Sequence, residues 1–337
     1  MMHLLKLVTQ IFLCSLSTLI IFSCQGDQKS KPTEPVVKKN VQVPVFNPDS
    51  AYAFVEQQMN FGPRVPGTPG HKECKEWIIK EMKSFGTEVE SQNFKADFQG
   101  LKGIPSTNII ARINSNHPKR ILLAAHWDTR SVSDKDSDPS MRSKPVPGAD
   151  DGGSGVSILM EIARTLQNNP IDMGVDFVFF DAEDQGATGD ACVSSCSWGL
   201  GSQYWSSNID KNYKPVYGIL FDMVGRKNAS FYKEGLSRIY AKEATDKIWT
   251  LANRMGYGDY FIDQAVGSIV DDHKFVNEIA QIPMLDIINL KPELPNQTFQ
   301  KCWHTQCDDM TGIDKRSLRA VGQVATAVLY KESGNSL

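Results

Sequence analysis

The chain has 337 residues, of which 41% are hydrophobic and 22% are charged. This balance is typical of a folded globular protein, and it excludes a disordered chain, a collagen-like chain and a membrane protein with many spans. The 36 basic and 39 acidic residues give a net charge of -3, so the chain lacks the overall positive charge typical of nucleic-acid binding, and we expect no nucleic acid among its partners.

The N-terminal segment has the pattern of an export signal. Lys6 precedes a mostly apolar run at 7–22, which is short for a bilayer span and is interrupted by polar residues. The run ends in the sequence IFSC at 21–24, which resembles the lipobox of bacterial lipoproteins and would make Cys24 the acylated first residue of the mature chain. We therefore predict a signal peptide at 1–23, with an ordinary cleaved signal as the alternative. The expected location is the envelope of a Gram-negative bacterium, where the protein contacts the membrane only through Cys24 and faces the periplasm or is exported.

Residues 24–46 are predicted to form a flexible, lipid-anchored tether. Residues 25–46 include four lysines and three prolines and show no hydrophobic periodicity, so they cannot bury a core. The remainder, 47–335, contains no internal repeat and no second linker. We expect it to fold as a single catalytic domain.

This domain alternates short apolar runs with helical patterns. The predicted strands cover 107–113, 121–125, 175–180, 216–221 and 284–290. Asp49 or Ser50 is predicted to cap a first helix that runs to Gln58, and a second helix begins at Pro69 and stops at Gly86. Further predicted helices cover 155–166, 237–255 and 317–330. Continuously apolar strands are covered on both faces, so the pattern predicts an α/β fold with a central, mainly parallel sheet flanked by helices.

Acidic residues and histidines follow several of the predicted strands. They are His126 and Asp128, the acidic residues within 181–184, Asp222, the pair Asp150 and Asp151 in a glycine-flanked turn, and His304 near the C-terminus. Any one of them has a simpler structural explanation, because an aspartate at a strand end is usually a turn former or a helix cap. Together they suit zinc, which binds imidazole and carboxylate ligands, and sites in such sheets form beyond the carboxyl ends of the strands.

The cysteines leave alternatives open. In an exported protein the close pairs Cys192/Cys196 and Cys302/Cys307 could each form a disulfide, whereas zinc thiolates would be expected to show a C-x-x-C spacing that these pairs lack. Cys74 is then a buried thiol.

Seven motifs carry a family resemblance. They are GPRVPGTPG at 62–70, HWDTR at 126–130, GADDGGSG at 148–155, FFDAED at 179–184, FDMVG at 221–225, VDDH at 270–273 and WHT at 303–305. Their types and order resemble the family that unites zinc aminopeptidases with glutaminyl cyclases. Within it the chain is most similar to the bacterial glutaminyl-peptide cyclotransferases, particularly the lipoprotein forms of Bacteroidetes. The resemblance implies a mixed, mainly parallel sheet flanked by helices, as the pattern alone predicts.

The resemblance also implies the metal site. Asp151, Asp184 and His304 match the three ligands of the single catalytic zinc in glutaminyl cyclases. Glu183 matches the general acid/base. The implied reaction converts the N-terminal glutamine of peptides and proteins to pyroglutamate with release of ammonia, with zinc as the Lewis acid.

Further residues match the substrate pocket of the family. Asp222 and Asp271 match carboxylates that hold the substrate amine and share the proton network. Trp303 matches a pocket wall, and Trp198 a second wall. His126 matches the extra ligand of the two-zinc aminopeptidases, so it is a second-metal or supporting residue. We expect a monomer.

The main alternative is a two-zinc aminopeptidase that hydrolyses N-terminal residues. Its complete ligand set is present as His126, Asp151, Asp184, Asp222 and His304. Two features favour the cyclase: Asp184 stands where these peptidases usually carry glutamate, and Trp303 directly precedes the histidine ligand. A third hypothesis is a lipoprotein without a metal that only binds peptides or acts as a scaffold in the envelope. It is disfavoured because every expected ligand and Glu183 are present.

Overall fold

The computed structural model describes residues 41–187, 189, 196–293 and 299–337. The signal peptide predicted at 1–23, Cys24 and most of the predicted tether lie outside the described residues, as does Cys192. The helices are α1 (Pro48–Asn60), α2 (Pro69–Ser84), α3 (Gly153–Asn168), α4 (Leu200–Asn208), α5 (Gly235–Tyr240), α6 (Lys242–Arg254), α7 (Asp272–Glu278) and α8 (Lys315–Ser333). The strands are β1 (Glu88–Phe98), β2 (Leu101–Ile113), β3 (Arg120–His126), β4 (Gly174–Phe180), β5 (Gly218–Asp222), β6 (Phe231–Lys233), β7 (Phe261–Ala265) and β8 (Met284–Ile288).

A six-stranded sheet in the order β1-β2-β4-β3-β5-β8 forms the centre of the domain. The β4-β3, β3-β5 and β5-β8 pairs are parallel, and β2 is antiparallel to both of its neighbours. The expected α/β fold with a mixed, mainly parallel sheet is therefore confirmed. In the described residues β6 and β7 form a separate two-stranded sheet.

Each face of the central sheet packs against its own group of helices. On β3, Leu123 and Ala125 lie in the larger core cluster together with residues of α1, α3, α6 and α8. The alternate residues Leu122 and Ala124 lie in a second cluster with Trp205 of α4 and Val276 of α7. Successive side chains of a strand point to opposite faces, so β3 is shielded from water on both faces of the sheet. This explains why residues 121–125 are all apolar.

The structure corrects two expectations about helix ends. Neither Asp49 nor Ser50 caps α1: the cap is Asn47, whose side chain accepts hydrogen bonds from the backbone amides of both. The helix predicted over 237–255 is two helices, α5 and α6, divided at Ala241. The Thr245 hydroxyl donates to the carbonyl of Ala241, which satisfies one backbone group at the break.

The disulfide alternative holds for the pair near the C-terminus. Cys302 and Cys307 are bonded to each other. Cys196 is disulfide-bonded as well, and Cys74 is a buried free thiol. Among the described helices, none is long and apolar enough to cross a bilayer.

Candidate metal centre and active site

Asp151, Asp184 and His304 converge at the carboxyl ends of the parallel strands. Asp151 lies in the turn that leads into α3, Asp184 follows β4, and His304 lies in the loop before α8. His304 Nε2 is 2.8 Å from Asp184 Oδ1 and 3.8 Å from Asp151 Oδ2. All three side chains are buried and offer ligand atoms within 4.8 Å of one another.

The donor set of this group fits zinc. Two carboxylates and an imidazole supply three of the four ligands of a catalytic zinc site and leave the fourth position for substrate. Asp151 Oδ2 and Asp184 Oδ2 are buried without a hydrogen-bond partner among the described residues. Buried carboxylate oxygens are costly unless a cation or a donor meets them, so these atoms are suited to a metal. The other ring nitrogen of His304, Nδ1, is 3.4 Å from Asp134 Oδ1, the type of carboxylate contact that orients a histidine ligand.

Asp128 fixes the segment that carries Glu183 and Asp184. Its Oδ1 accepts a hydrogen bond from the Glu183 amide at 3.0 Å, and its Oδ2 accepts one from the Asp184 amide at 3.3 Å. Ala182, just before them, has a φ of 54°. A left-handed conformation is uncommon for a residue other than glycine, so the turn depends on contacts such as those of Asp128.

A second carboxylate holds the turn at Asp151. Asp308 accepts hydrogen bonds from the amides of Asp150 and Asp151 at 3.0 and 3.1 Å. Arg64 is fully buried and donates to the carbonyl of Gly148 in the same turn. Asp150 itself accepts a hydrogen bond from the Gly225 amide, so it shapes the turn. It does not belong to the group formed by Asp151, Asp184 and His304.

Only glycine is compatible with the backbone just after Asp151. Gly152 has a φ of 80°, and an added Cβ would lie 2.8 Å from the Asp128 carbonyl oxygen. This close approach brings the turn against the strand end that carries His126.

His304 lies in a loop that a disulfide closes. Its own φ is 55°, again in the left-handed region. Cys302 and Cys307, which lie on either side of His304 in the sequence, are bonded to each other, and Asp308 directly follows Cys307. One short loop therefore supplies a candidate metal ligand, His304, and the carboxylate of Asp308, which holds the turn that carries the candidate ligand Asp151.

Glu183 is beside the metal group and is only 8% exposed. Burial raises its pKa well above the ordinary value; His126 opposes this rise, and Asp271, Asp272 and Asp184 add to it. A carboxyl group with a raised pKa can hold a proton near neutral pH and pass it on, which is the property required of a general acid/base.

Asp222 and Asp271 face the same cavity. Burial is the largest cause that raises the pKa of Asp222 to about 8, with His126 opposing and Asp271 contributing. Burial also raises the pKa of Asp271. Two neighbouring carboxyl groups with little access to solvent are costly to ionise together. Such a pair therefore holds a proton readily or binds a cationic group.

The His126 side chain contacts both Asp222 and the candidate ligand Asp151. Its Nε2 is 3.0 Å from Asp151 Oδ1 and 3.2 Å from Asp222 Oδ1. Burial lowers its pKa, but contacts with Asp128, Asp151 and Asp222 outweigh burial and raise the pKa well above the ordinary value. His126, Asp151 and Asp222 form a second group of possible ligands that shares Asp151 with the first.

Aromatic side chains surround the His304 ring. Trp303 stacks on it with ring centres 3.9 Å apart, and Trp198 lies nearly parallel to it at 5.9 Å. Both indoles line a cavity of about 260 Å³ that also contains Glu183 and Asp271. A larger groove of about 1050 Å³ lies near α2 and β1 and is lined by none of the predicted site residues.

The structure brings every predicted site residue to this region, and it adds others that the sequence did not indicate. The additional cavity residues are Gly189, Met223, Ile269, Val270, Ile288 and Phe299. Val270 is the first residue of the VDDH motif and Ile269 directly precedes it, whereas Met223 lies in the FDMVG motif. Asp134 and Asp308 have no sequence signal beyond their charge, and only the folded chain shows their contacts. Trp127 and Trp205 are buried and do not line the cavity.

The comparisons with known proteins agree with this geometry. The model of peptidase family M28 matches residues 108–329. The chain belongs to peptidase family M28. The solved glutaminyl cyclase of Porphyromonas gingivalis is 45% identical, with a TM-score of 0.82, over 86% of this chain and 99% of that one.

Other M28-like relatives include both peptidases and cyclases. A solved Zn-dependent exopeptidase from Parabacteroides distasonis shows the same identity of 45%, TM-score of 0.82 and coverage of 86% and 99%. A glutaminyl-peptide cyclotransferase of Drosophila melanogaster is 25% identical over 75% of this chain and 72% of its own length. The chain spans 40% and 42% of the length of two further curated relatives. The resemblance drawn from the motifs is confirmed, and a zinc-dependent site fits both the family and the donor set.

Proposed function

We propose that this M28 member is a zinc-dependent glutaminyl-peptide cyclotransferase. The observation that carries the proposal is the placement of Glu183 beside the Asp151, Asp184 and His304 group in a cavity walled by Trp303 and Trp198. The similarity over nearly the full length of a solved glutaminyl cyclase supports it.

The reaction joins the α-amine of an N-terminal glutamine to its own γ-carboxamide carbon. A nitrogen–carbon bond forms, the bond to the amide nitrogen breaks, and ammonia leaves. Zinc, when bound by Asp151, Asp184 and His304, supplies Lewis-acid polarisation of the γ-carbonyl. A Glu183 carboxylate oxygen takes a proton from the attacking amine and returns one to the departing nitrogen.

The remaining residues position the substrate. Asp222 and Asp271 accept hydrogen bonds from the substrate amine. Trp303 and Trp198 enclose the glutamine side chain, exclude water, and hold the side chain folded back toward the amine. Because the nucleophile belongs to the substrate, no water has to be activated.

The number of zinc ions is part of the proposal, and we propose one. His126 Nε2 lies within hydrogen-bonding distance of both Asp151 and Asp222, so a protonated imidazole can satisfy these carboxylates without a second cation. The observation that favours the alternative, a two-zinc aminopeptidase, is that Asp151 belongs to both groups of possible ligands.

Two peptides separate the two functions. The purified mature chain, loaded with zinc, is given Gln-Xaa and Leu-Xaa peptides, and the products are followed by mass. The cyclase predicts that the first peptide loses ammonia and that the second is unchanged. Release of free leucine would contradict the proposal and indicate the peptidase.

We also propose, from the N-terminal pattern, that the protein is a monomeric lipoprotein of the cell envelope, anchored at Cys24. Expression of the full chain and of Cys24→Ala, followed by fractionation and fatty-acid labelling, tests this. Label on the wild type and none on the variant is expected, and equal membrane association of both would contradict the anchor.

A further inference from the structure

A buried polar cluster adjoins Asp271, and its other members, Asp286, His273 and Glu234, do not line the cavity. Asp286 is at the centre of this cluster, in the middle of β8, and is fully buried. It pairs with Leu220 of β5, whereas Asp222 pairs with Ile288. Asp286 and Asp222 are therefore two residues apart along paired strands and share one face of the sheet.

Asp271 and Asp286 are both buried, and each has a carboxylate oxygen within 4.8 Å of one on the other. Both oxygens of Asp286 and Oδ2 of Asp271 have no hydrogen-bond partner among the described residues. Two ionised carboxylates have only acceptor atoms, so a hydrogen bond between them requires a proton on one of them. A proton on Asp286 turns the contact into a hydrogen bond from Asp286 to the Asp271 carboxylate.

His273 supports the same cluster from the other side. Its Nε2 is 3.1 Å from Glu234 Oε2, and its Nδ1 is 3.8 Å from Asp286 Oδ2. When Nε2 donates to Glu234, the ring orientation is fixed and Nδ1 faces Asp286. The Asp286 amide also donates to the Ser237 hydroxyl at 2.9 Å, which fixes the strand at this position.

Backbone amides hold the Glu234 carboxylate in place, so it supports His273 in a fixed position. It accepts hydrogen bonds from the amides of Leu236 and Ser237 at 2.8 Å and from that of Ile269 at 3.0 Å. Ile269 lines the substrate cavity, two residues before Asp271. The cluster therefore holds both the backbone and the side chain of the segment that carries Asp271.

We infer that Asp286 is a positioning residue, which holds the Asp271 carboxylate toward the substrate amine by donating a hydrogen bond to it. This inference rests on the proposed function, because that function gives Asp271 its role. Asp271, His273 and Asp286 also lie close enough to hold a cation. A single proton satisfies the carboxyl contact, so no cation is needed there.

Four variants test the inference: Asp286→Asn, Asp286→Leu, Asp271→Asn and the double variant Asp271→Asn/Asp286→Leu. The amide of Asp286→Asn still donates to Asp271, so we expect kcat to stay within about threefold of wild type. Asp286→Leu keeps the approximate size but has no donor, and we expect kcat to fall about 10- to 100-fold with zinc content unchanged, as for other losses of alignment. If Asp286→Leu does not fold, Asp286→Ser takes its place, since its short hydroxyl cannot reach as the carboxyl does.

The double variant provides the decisive comparison. If Asp286 acts through Asp271, adding Asp286→Leu to Asp271→Asn lowers kcat little further. Independent, multiplying losses would overturn the inference, and so would equal losses in Asp286→Asn and Asp286→Leu. A second zinc per chain in wild type that disappears in both Asp286 variants would show a metal site instead. Wild-type turnover of the Gln-Xaa peptide is measured first, so failure of the proposed function is recognised separately from failure of the inference.

Discussion

Glu234 offers a quantitative test of the buried cluster, through the effect of pH on stability. Burial by itself would raise the pKa of Glu234, but hydrogen bonds from His273 and from the amides of Ser237 and Leu236 outweigh it and lower the pKa from the ordinary 4.5 to about 2. This difference corresponds to about 3 kcal/mol of stability at neutral pH. The sign follows from the lowered pKa. The contribution is fully present above pH 4.5 and is lost as the pH falls toward 2, with about 2 kcal/mol gone by pH 3.

The substitution Glu234→Gln removes this dependence because an amide does not ionise. We expect the free-energy difference of unfolding between wild type and Glu234→Gln to shrink by about 2 kcal/mol between pH 6 and pH 3. Urea unfolding of both proteins at matched zinc concentration measures it. The control is Glu73→Gln, which removes an exposed carboxylate from α2. A difference between wild type and Glu234→Gln that stays constant over this range would refute the reasoning.

Three further predictions concern the active site. Glu183→Gln should bind zinc normally and lose about 10²- to 10⁴-fold in kcat, whereas His304→Ala should lose the metal. Zinc analysis together with turnover measurements checks both variants. Near-normal turnover of Glu183→Gln would contradict the role of Glu183. Asp222→Ala should lower kcat with one zinc retained, because we place it at the substrate amine, and loss of the only zinc would show that it is a ligand. Replacing Cys302 and Cys307 by serine should weaken zinc binding by releasing the loop that carries His304, and an unchanged zinc affinity in a chelator competition would contradict this.

The central part of the fold could be predicted from sequence because the sheet is shielded from water on both faces. Strands β3, β4, β5 and β8 are short, mostly apolar runs, a pattern that surface strands do not show. Strand β1 was not predicted: it lies at the sheet edge, and its residues alternate between exposed and buried positions with many polar side chains. The division of the helix at Ala241 depends on local contacts that periodicity does not show.

The candidate site divides in the same way. The residues that follow strand ends, such as His126, Asp184 and Asp222, could be found because parallel strands bring their carboxyl ends to one edge. Asp308 and Asp286 could not be found. Asp308 acts on amides more than a hundred residues away. Asp286 lies near Asp271 from the far side of helix α7 in the sequence, and neither side chain gives a distinctive spacing. The number of metal ions also stays a proposal, because the same ligands suit either count.

The most direct test of the proposed chemistry is to run the reaction in water labelled with oxygen-18. The nucleophile in the proposed reaction is the substrate's own amine, so pyroglutamyl product should carry no label while ammonia is released in equal amount. A product that contains oxygen-18 would show that water attacks the bond, and it would contradict the cyclase.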